Sequence, residues 1–325
     1  MNLNHAVKKQ ETFGALKYED TQPIHIAFGV DANFIRPMGV AMTSLLDNNQ
    51  QHSLVFHVFA NSIELVDIER LNKLAQAEKV LVHLYHINPV IFESMQTTWN
   101  YTAATYNRFI VAKLLYPSID KVIYMDADMV CKGDLAELVQ LDFSDKIAMV
   151  VADQGKFVAD HMKTLDLKNG QYFNAGMLYI NLKAWNENQI SEQAMDLLAK
   201  RKFFLLDQDA LNILLDGRAK FIERKWNEIC NMEKKYSKIS DEAVIVHFAS
   251  RNKPWHVWCM HKEKELFIRY AQASLWCDVP FFSVPRSYKE MKMMGAAMLK
   301  QGKYKEAILW YWKYWRAKKK EKNSK

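Results

Sequence analysis

The stretch Lys121 to Lys132, KVIYMDADMVCK, constrains this chain more than any other. Val122-Ile123-Tyr124-Met125 is a short apolar run, β-branched at its start and of the length of a buried strand. It runs straight into Asp126-Ala127-Asp128. In an extended chain, side chains two apart point the same way, so both carboxylates are expected to project together from the strand's carboxyl end. That end is where open α/β sheets bind ligands. Two carboxylates so placed repel unless a cation lies between them, and Mg²⁺ or Mn²⁺ is the natural occupant. The competing reading is a pair of solvated turn aspartates.

The 325 residues suffice for one large α/β domain and an appendage, and 50% are hydrophobic, enough for a substantial core. No apolar run approaches the roughly twenty residues of a membrane span. The opening MNLNHAVKKQETFGALKYED lacks the apolar segment of a signal peptide. Residues 1–22 are therefore expected to form a disordered or loosely packed lead-in. Cys131, Cys230, Cys259 and Cys277 are scattered without CxxC pairing. They read as reduced thiols of a cytosolic protein rather than as a disulfide frame or zinc site.

Strand and helix signals alternate. Strands are expected at His25–Val30, Leu54–Ala60, Val80–Ile87, Ala148–Ala152, Lys220–Trp226 and Ala243–Ala249, with helices at Val40–Leu46, Ile63–Gln76, Thr105–Leu115 and Ala210–Leu215. This alternation implies a largely parallel, doubly wound sheet. Asp31-Ala32-Asn33 follows the first strand, which fits either a nucleotide-base site or ordinary turn chemistry. Arg108 and Lys113 offer phosphate or donor contacts, although Lys113 also suits a solvated helix face. In the run Tyr172 to Leu182, small residues precede a strand and let backbone approach a ligand. Asp207 reads as a helix N-cap or a site residue. His247 reads as a core histidine or as the third ligand that a carboxylate pair needs. Lys253, in a Pro-bounded loop, reads as a surface lysine or a diphosphate contact.

Beyond about Lys262 the character changes. Met291, Met294 and Met298 share a helical face, and Gly302 is an expected break. Tyr304, Ile308, Tyr311, Trp312 and Trp315 form a second apolar stripe. Trp310, Trp312, Tyr314 and Trp315 then meet Arg316, Lys318, Lys319, Lys320 and Lys322. A basic helix with aromatic residues at its boundary suits an anionic membrane surface; the alternative is a stripe packed on the main domain. No nucleic-acid motif accompanies the charge, so no nucleic-acid partner is expected.

The segments FGVDANF, TYNRFIVAKLL, VIYMDADM, YFNAGMLYINLKAW, LDQDALN and VHFASRNKPWH occur in this order between about residues 24 and 260. Together they resemble glycosyltransferase family 8, and most closely its bacterial lipopolysaccharide core glycosyltransferases. The resemblance implies a GT-A fold, an α/β Rossmann-like mixed sheet flanked by helices, with a C-terminal helical, basic and aromatic extension. The implied boundaries are a lead-in at 1–22, a catalytic domain at 23–262 and a membrane-associating extension at 263–325. Asp126 and Asp128 match the family's metal pair and His247 its third ligand, for Mn²⁺ or Mg²⁺. Gly29, Asp31, Asn33 and Phe34 match the uridine-binding turn. Asp126, Ala127 and Asp128 also fall on the donor, and Lys253 matches the diphosphate-contacting lysine. Arg108, Asp153, Asn174, Ala175, Asp207 and Gln208 match positions around the donor sugar, with Asp209 the carboxylate to watch for a covalent route. Ser250 stands where better-studied members have glycine and matches a position whose backbone contacts the donor phosphate.

The implied activity is retaining transfer of glucose or galactose from a UDP-sugar to the lipopolysaccharide core, by an enzyme on the inner face of the cytoplasmic membrane. The alternatives are a family-8 transferase with another acceptor, a metal-dependent phosphohydrolase using the same aspartates, or a non-catalytic UDP-sugar or membrane-binding module.

Overall fold

The computed structural model describes residues 3–16, 22–98, 102–153, 156–280 and 284–323. The chain divides into two compact units. The first comprises Met1–Ile229 with Ser240–His247, and the second Cys230–Ile239 with Phe248–Lys325.

In the first unit the elements run β1 (Val7–Phe13), β2 (Ile24–Val30), α1 (Ile35–Asn48), β3 (Leu54–Ala60), α2 (Leu65–Glu78) and β4 (Leu81–Ile87). They continue through α3 (Asn107–Leu115), β5 (Lys121–Met125), β6 (Met129–Cys131), α4 (Ala136–Gln140), β7 (Ala148–Ala152) and α5 (Lys156–Met162). Last come β8 (Phe173–Asn181), α6 (Leu182–Glu187), α7 (Ile190–Lys200), α8 (Leu206–Leu214), β9 (Ala219–Ile222), β10 (Glu228–Ile229) and β11 (Ile245–His247). Eight strands form one sheet in the order β1-β4-β3-β2-β5-β8-β7-β9. β4, β3, β2 and β5 are parallel, β8 is antiparallel to both β5 and β7, and β9 is parallel to β7. β3 is buried along its whole length, as its unbroken run LVFHVFA requires of a strand covered on both faces.

Strand order reverses between β2 and β5. The chain winds from β2 outward to β4, then crosses back through α3 to β5 on the other side. Such a switch point opens a crevice at the carboxyl ends of the strands. The turn after β2 and the aspartates after β5 flank it.

Three expectations change. The lead-in is not loose along its length: β1 pairs antiparallel with β4, and Glu11 accepts from His86 at 2.7 Å. (Residues 1–2 and 17–21 of the lead-in lie outside the described residues.) The strand expected at Ala243–Ala249 shortens to three residues, and that at Lys220–Trp226 becomes β9 and a 3₁₀ turn at Arg224–Trp226. The aspartate pair does not sit on extended chain. β5 stops at Met125, and Ala127-Asp128 form a turn into β6. The two carboxylates therefore meet through a turn, not through the alternation of a strand.

In the second unit, α9 (Lys264–Ala273) is followed by α10 (Tyr288–Lys300) and α11 (Tyr304–Asn323). Gly302, at φ +72°, makes the break between the last two, a conformation that favours glycine. A reciprocal capping box of Ser287 and Glu290 starts α10. Met294, Ala297 and Met298 pack with Trp258 and Ala307, so two of the three stripe methionines are core, and Met291 is half-buried. The second stripe divides. Tyr311 lies against Gly295, where a Cβ would sit 3.0 Å from its ring. Ile308, Trp312 and Trp315 stay 70%, 52% and 63% exposed. None of the described helices is long and apolar enough to cross a membrane.

Three histidines line up across the parallel strands. His25 Nδ1 lies 3.0 Å from His57 Nε2, His57 Nδ1 lies 3.2 Å from Tyr85 Oη, and His57 stacks on His83 at 5.1 Å. Burial lowers His25 to about 4, and it lowers His57 and His83 as well, aided at His57 by the neighbouring imidazoles. The unfolded chain then binds more protons than the fold below about pH 6.5. Stability from this group is complete above that pH and lost as pH falls toward 4. Thermal melts across this range are expected to show a falling midpoint, and His25→Gln is expected to flatten the fall; an unchanged slope would exclude His25 as its source.

Candidate active site

Arg108 organises the polar floor of the crevice. It lies in the first turn of α3 with its side chain only 4% exposed. Its Nε donates to Thr105 O at 3.0 Å and pairs with Asp207 at 2.9 Å. Nη1 donates to Ala175 O at 2.5 Å, Nη2 to Asp126 Oδ1 at 3.2 Å, and the guanidinium lies 4.7 Å from the Tyr124 ring centroid. The arginine thus ties α3 to α8, β8 and the end of β5. Asp207 is not the N-cap of α8. That position is Leu205, and the Asp207 carboxylate turns inward to Arg108 and to the Thr105 hydroxyl at 2.8 Å. Burial pushes the Asp207 carboxyl up, and Arg108 pulls it down. Lys113, by contrast, makes a surface pair with Glu192 at 2.7 Å.

Asp126, Asp128 and His247 converge, with one ligand atom from each lying within 4.8 Å of the others. The small sheet β10-β11-β6 makes this happen. β11 pairs antiparallel with β6 and sets His247 opposite Met129, the residue after Asp128. His247 Nδ1 lies 3.1 Å from Asn227 Oδ1, and Asn227 Nδ2 donates to Asn174 Oδ1 at 3.0 Å. This fixes Asn227 as an acceptor toward the ring, so Nδ1 carries the hydrogen. A neutral imidazole then turns a bare Nε2 lone pair toward Asp128 Oδ1, 3.2 Å away. A proton or a cation between them resolves that contact. Burial, and then the facing Asp128, raise Asp126 to about 6 against the pull of Arg108. Two carboxylates and one oriented imidazole suit Mn²⁺ or Mg²⁺.

Gly176 makes the cluster possible. A Cβ there would lie 2.4 Å from His247 Cε1 and 2.9 Å from Asp126 Oδ2. The glycine sits inside β8, where Ala175–Met177 are extra residues between the pairs Val150↔Leu178 and Val151↔Asn174. Such a bulge re-aims backbone next to a site. The small residues of this run thus make room for an imidazole.

Gln208 is clamped on both ends of its carboxamide. Its oxygen accepts from Ala175 N at 3.0 Å and Asn174 Nδ2 at 3.2 Å. Its nitrogen donates to Tyr172 Oη at 3.2 Å and toward Asp153 at 3.4 Å. Asp209 is fully buried, accepting from Tyr172 Oη at 2.6 Å and Leu205 N at 2.9 Å.

At the other flank, Asp31 accepts from Asn33 N at 2.9 Å and from the Thr102 hydroxyl at 2.7 Å, leaving Asn33 exposed on a tight turn before Phe34. Gly29 lies within β2, not in that turn. A Cβ there would meet Asn107 Cβ at 2.8 Å and Ala104 O and Tyr124 Oη at 3.1 Å, so close packing at this point requires the glycine. Ala127 is buried between the two aspartates. Ser250 and Lys253 belong to the second unit. Ser250 Oγ accepts from Met232 N and donates to Asn252 O, which makes it a loop brace. Lys253 Nζ donates to Phe248 O at 2.8 Å.

Sequence reasoning missed Thr105, Tyr172, Gly176 and Asn227 as parts of the site. Only Gly176, a glycine within a strand pattern, carried a signal. Gly176→Ala is expected to keep the fold while displacing His247. Titration calorimetry with Mn²⁺ checks this, with binding expected to weaken by at least about 10-fold, as for loss of an orienting contact; unaltered affinity would show that the imidazole is not a ligand.

The family model Glycosyl transferase family 8 matches residues 25–259, and Glycosyl transferase family 8 C-terminal matches residues 264–318. Lipopolysaccharide 1,3-galactosyltransferase of Salmonella typhimurium is 32% identical over 316 residues, 93% of each chain. Lipopolysaccharide 1,2-glucosyltransferase of Escherichia coli K12 is 30% identical over 302 residues, 88% of each chain. The solved structure of galactosyltransferase LgtC, in complex with donor and acceptor sugar analogs, has a TM-score of 0.68 at 22% identity, covering 82% of this chain and 99% of that one. That likeness shows a GT-A fold. This chain belongs to glycosyl transferase family 8.

Proposed function

We propose that this chain transfers a hexose, glucose or galactose, from a UDP-sugar to the core oligosaccharide of lipopolysaccharide with retention at the anomeric carbon. One observation carries the reading: the Asp126, Asp128 and His247 cluster and the clamped Gln208 lie at the switch point of a family-8 sheet. Relatives at 30–32% identity over most of the chain act on lipopolysaccharide by name.

A divalent cation held by Asp126, Asp128 and His247 would supply positive charge against a nucleotide diphosphate, and the family resemblance gives Lys253 a diphosphate contact. Asp31, Asn33 and Phe34 are assigned to the base and ribose, with Ala127 and Arg108 behind the donor. Asp153, Asn174 and Asp207 are assigned to the sugar. The state of Gln208, the residue matching the position on the sugar's far face, and of Asp209 favours same-face substitution. Both lone-pair directions of the Gln208 oxygen are engaged by donors, and Asp209 is buried under hydrogen bonds. A double displacement needs a carboxylate free to reach the anomeric carbon. The departing phosphate then takes the acceptor hydroxyl's proton as an oxocarbenium-like centre is captured on the face it left.

The exposed side of α11 supports docking to the inner face of the cytoplasmic membrane. Ile308, Trp312 and Trp315 form an uncovered apolar stripe, and Arg316 lies over Trp312 at 4.5 Å. An apolar face rimmed by cations fits an anionic lipid surface. Of the basic cluster, the Lys322 side chain lies outside the described residues.

Three experiments test these readings. Incubation with Mn²⁺ and a panel of UDP-sugars should release UDP, faster with lipopolysaccharide acceptor; release of sugar phosphate instead would mean a hydrolase. Asp128→Ala should retain the fold and lose at least about 10²-fold in kcat. For the tail, the triple variant Ile308→Ser, Trp312→Ser, Trp315→Ser should lose sedimentation with anionic vesicles while hydrolysing UDP-sugar in solution at the wild-type rate. Equal loss of both would assign the stripe a structural task.

A further inference from the structure

A chain of hydrogen bonds leaves the site through Gln208 and ends on a residue that no part of the mechanism uses. Gln208 Nε2 lies 3.2 Å from Tyr172 Oη, Tyr172 Oη 2.6 Å from Asp209 Oδ1, and Asp209 Oδ1 2.7 Å from His161 Nε2. These come from three places in the fold: α8, which carries Gln208 and Asp209, the entry to β8, and α5. We infer that His161 is a positioning residue for Gln208, acting through Asp209 and Tyr172. The inference rests on the proposed reading of Gln208 as a residue at the donor sugar.

The argument is one of proton direction. A phenol has a single hydrogen. At Tyr172 it is given to Asp209, so the oxygen's lone pairs face Gln208 and must accept from Nε2. That choice points the Gln208 oxygen at Ala175 N and Asn174 Nδ2. Were Tyr172 to donate toward Gln208, the amide would be driven to flip, and both of those bonds would face donor against donor. The direction holds only while Asp209 is a strong acceptor. Asp209 is fully buried, and a buried carboxylate needs a charged or hydrogen-bonding partner. Leu205 N serves Oδ2, and His161 serves Oδ1, the oxygen that Tyr172 shares, from a side chain 11% exposed, held edge-on to the Tyr172 ring at 6.0 Å and tilted against Phe204 at 5.8 Å. Its outer side lines a cleft of about 390 Å³ with Thr164, Arg201 and Phe204. His161 touches no reacting atom; it sets which end of a carboxamide faces the sugar.

The full-length protein tests this with four variants: His161→Phe, which removes the donor, His161→Gln, which keeps one, Tyr172→Phe, and the double variant His161→Phe with Tyr172→Phe. With the donor sugar that the wild type accepts, His161→Phe should lower kcat about tenfold with donor KM within about twofold, and His161→Gln should recover most of the loss. The double variant should lose no more than either single one, because both break the same chain. Unchanged kcat in folded His161→Phe, a loss confined to KM, or additive losses would overturn the inference. Hydrogen exchange of the ¹⁵N-labelled Gln208 side-chain amide, assigned against Gln208→Ala, decides the same point without turnover. It should be slow in wild type and His161→Gln and faster in His161→Phe, and equal rates would overturn the inference. Should His161→Phe fail to fold, Tyr172→Phe against His161→Gln gives the same two readouts. A wild type that turns over no UDP-sugar would sink the functional reading alone, since the exchange measurement still stands.

Discussion

The guanidinium of Arg108 is the contact on which the site depends. Its three nitrogens reach two carboxylates and two carbonyls, and its face covers Tyr124. A cation so enclosed is costly to desolvate, and the flanking acids offset that cost. Their pull holds Arg108 charged at any working pH. Taking away one side of such a buried pair costs about 3–5 kcal/mol, because the other side is left alone in a dry interior. The same cation that stabilises the fold therefore fixes where Asp126 and Asp207 stand. Stability and site geometry are one interaction here.

Around that cation the polar groups form a connected set. Asn174 receives from Asn227 and Gly176 and gives to Gln208, and Asn227 in turn orients His247. Each amide has its oxygen and nitrogen assigned by what the neighbours can donate or accept. Partly satisfied networks of this kind are costly, whereas satisfied ones hold a single arrangement. The bulge in β8 lets the network close, because Gly176 brings backbone within reach of Asp126, whose N–H donates to Gly176 O at 2.7 Å.

The second unit follows a different logic. α10 and α11 pack through small residues and methionines, Gly295 against Tyr311 and Ala307 among Met294 and Met298. One face of α11 is thereby used, and the opposite face keeps large apolar side chains in water. That is expensive for a helix whose only task is packing, and it is ordinary for one that meets a surface.

Much of this was legible in the chain. Leu54–Ala60 as a strand, the helices ahead of β5 and after Gly302, and the crevice-side location of Asp126 and Asp128 all follow from local periodicity and punctuation. Asp207 was legible as important but not as the partner of Arg108, since a capping residue and a buried acid look alike in sequence. Local signals are set by neighbours within a turn or two, and they carry no register between distant strands. Only the tertiary structure decided that β11 pairs with β6 and so puts His247 against Asp128, that Gly176 clears space for an imidazole, and that His161 stands behind Asp209. The sequence by itself determined which chemistry was available, because carboxylates, imidazoles and amides are residue types. Their meeting within hydrogen-bond reach was decided by sheet order and helix packing, which no short window of residues contains.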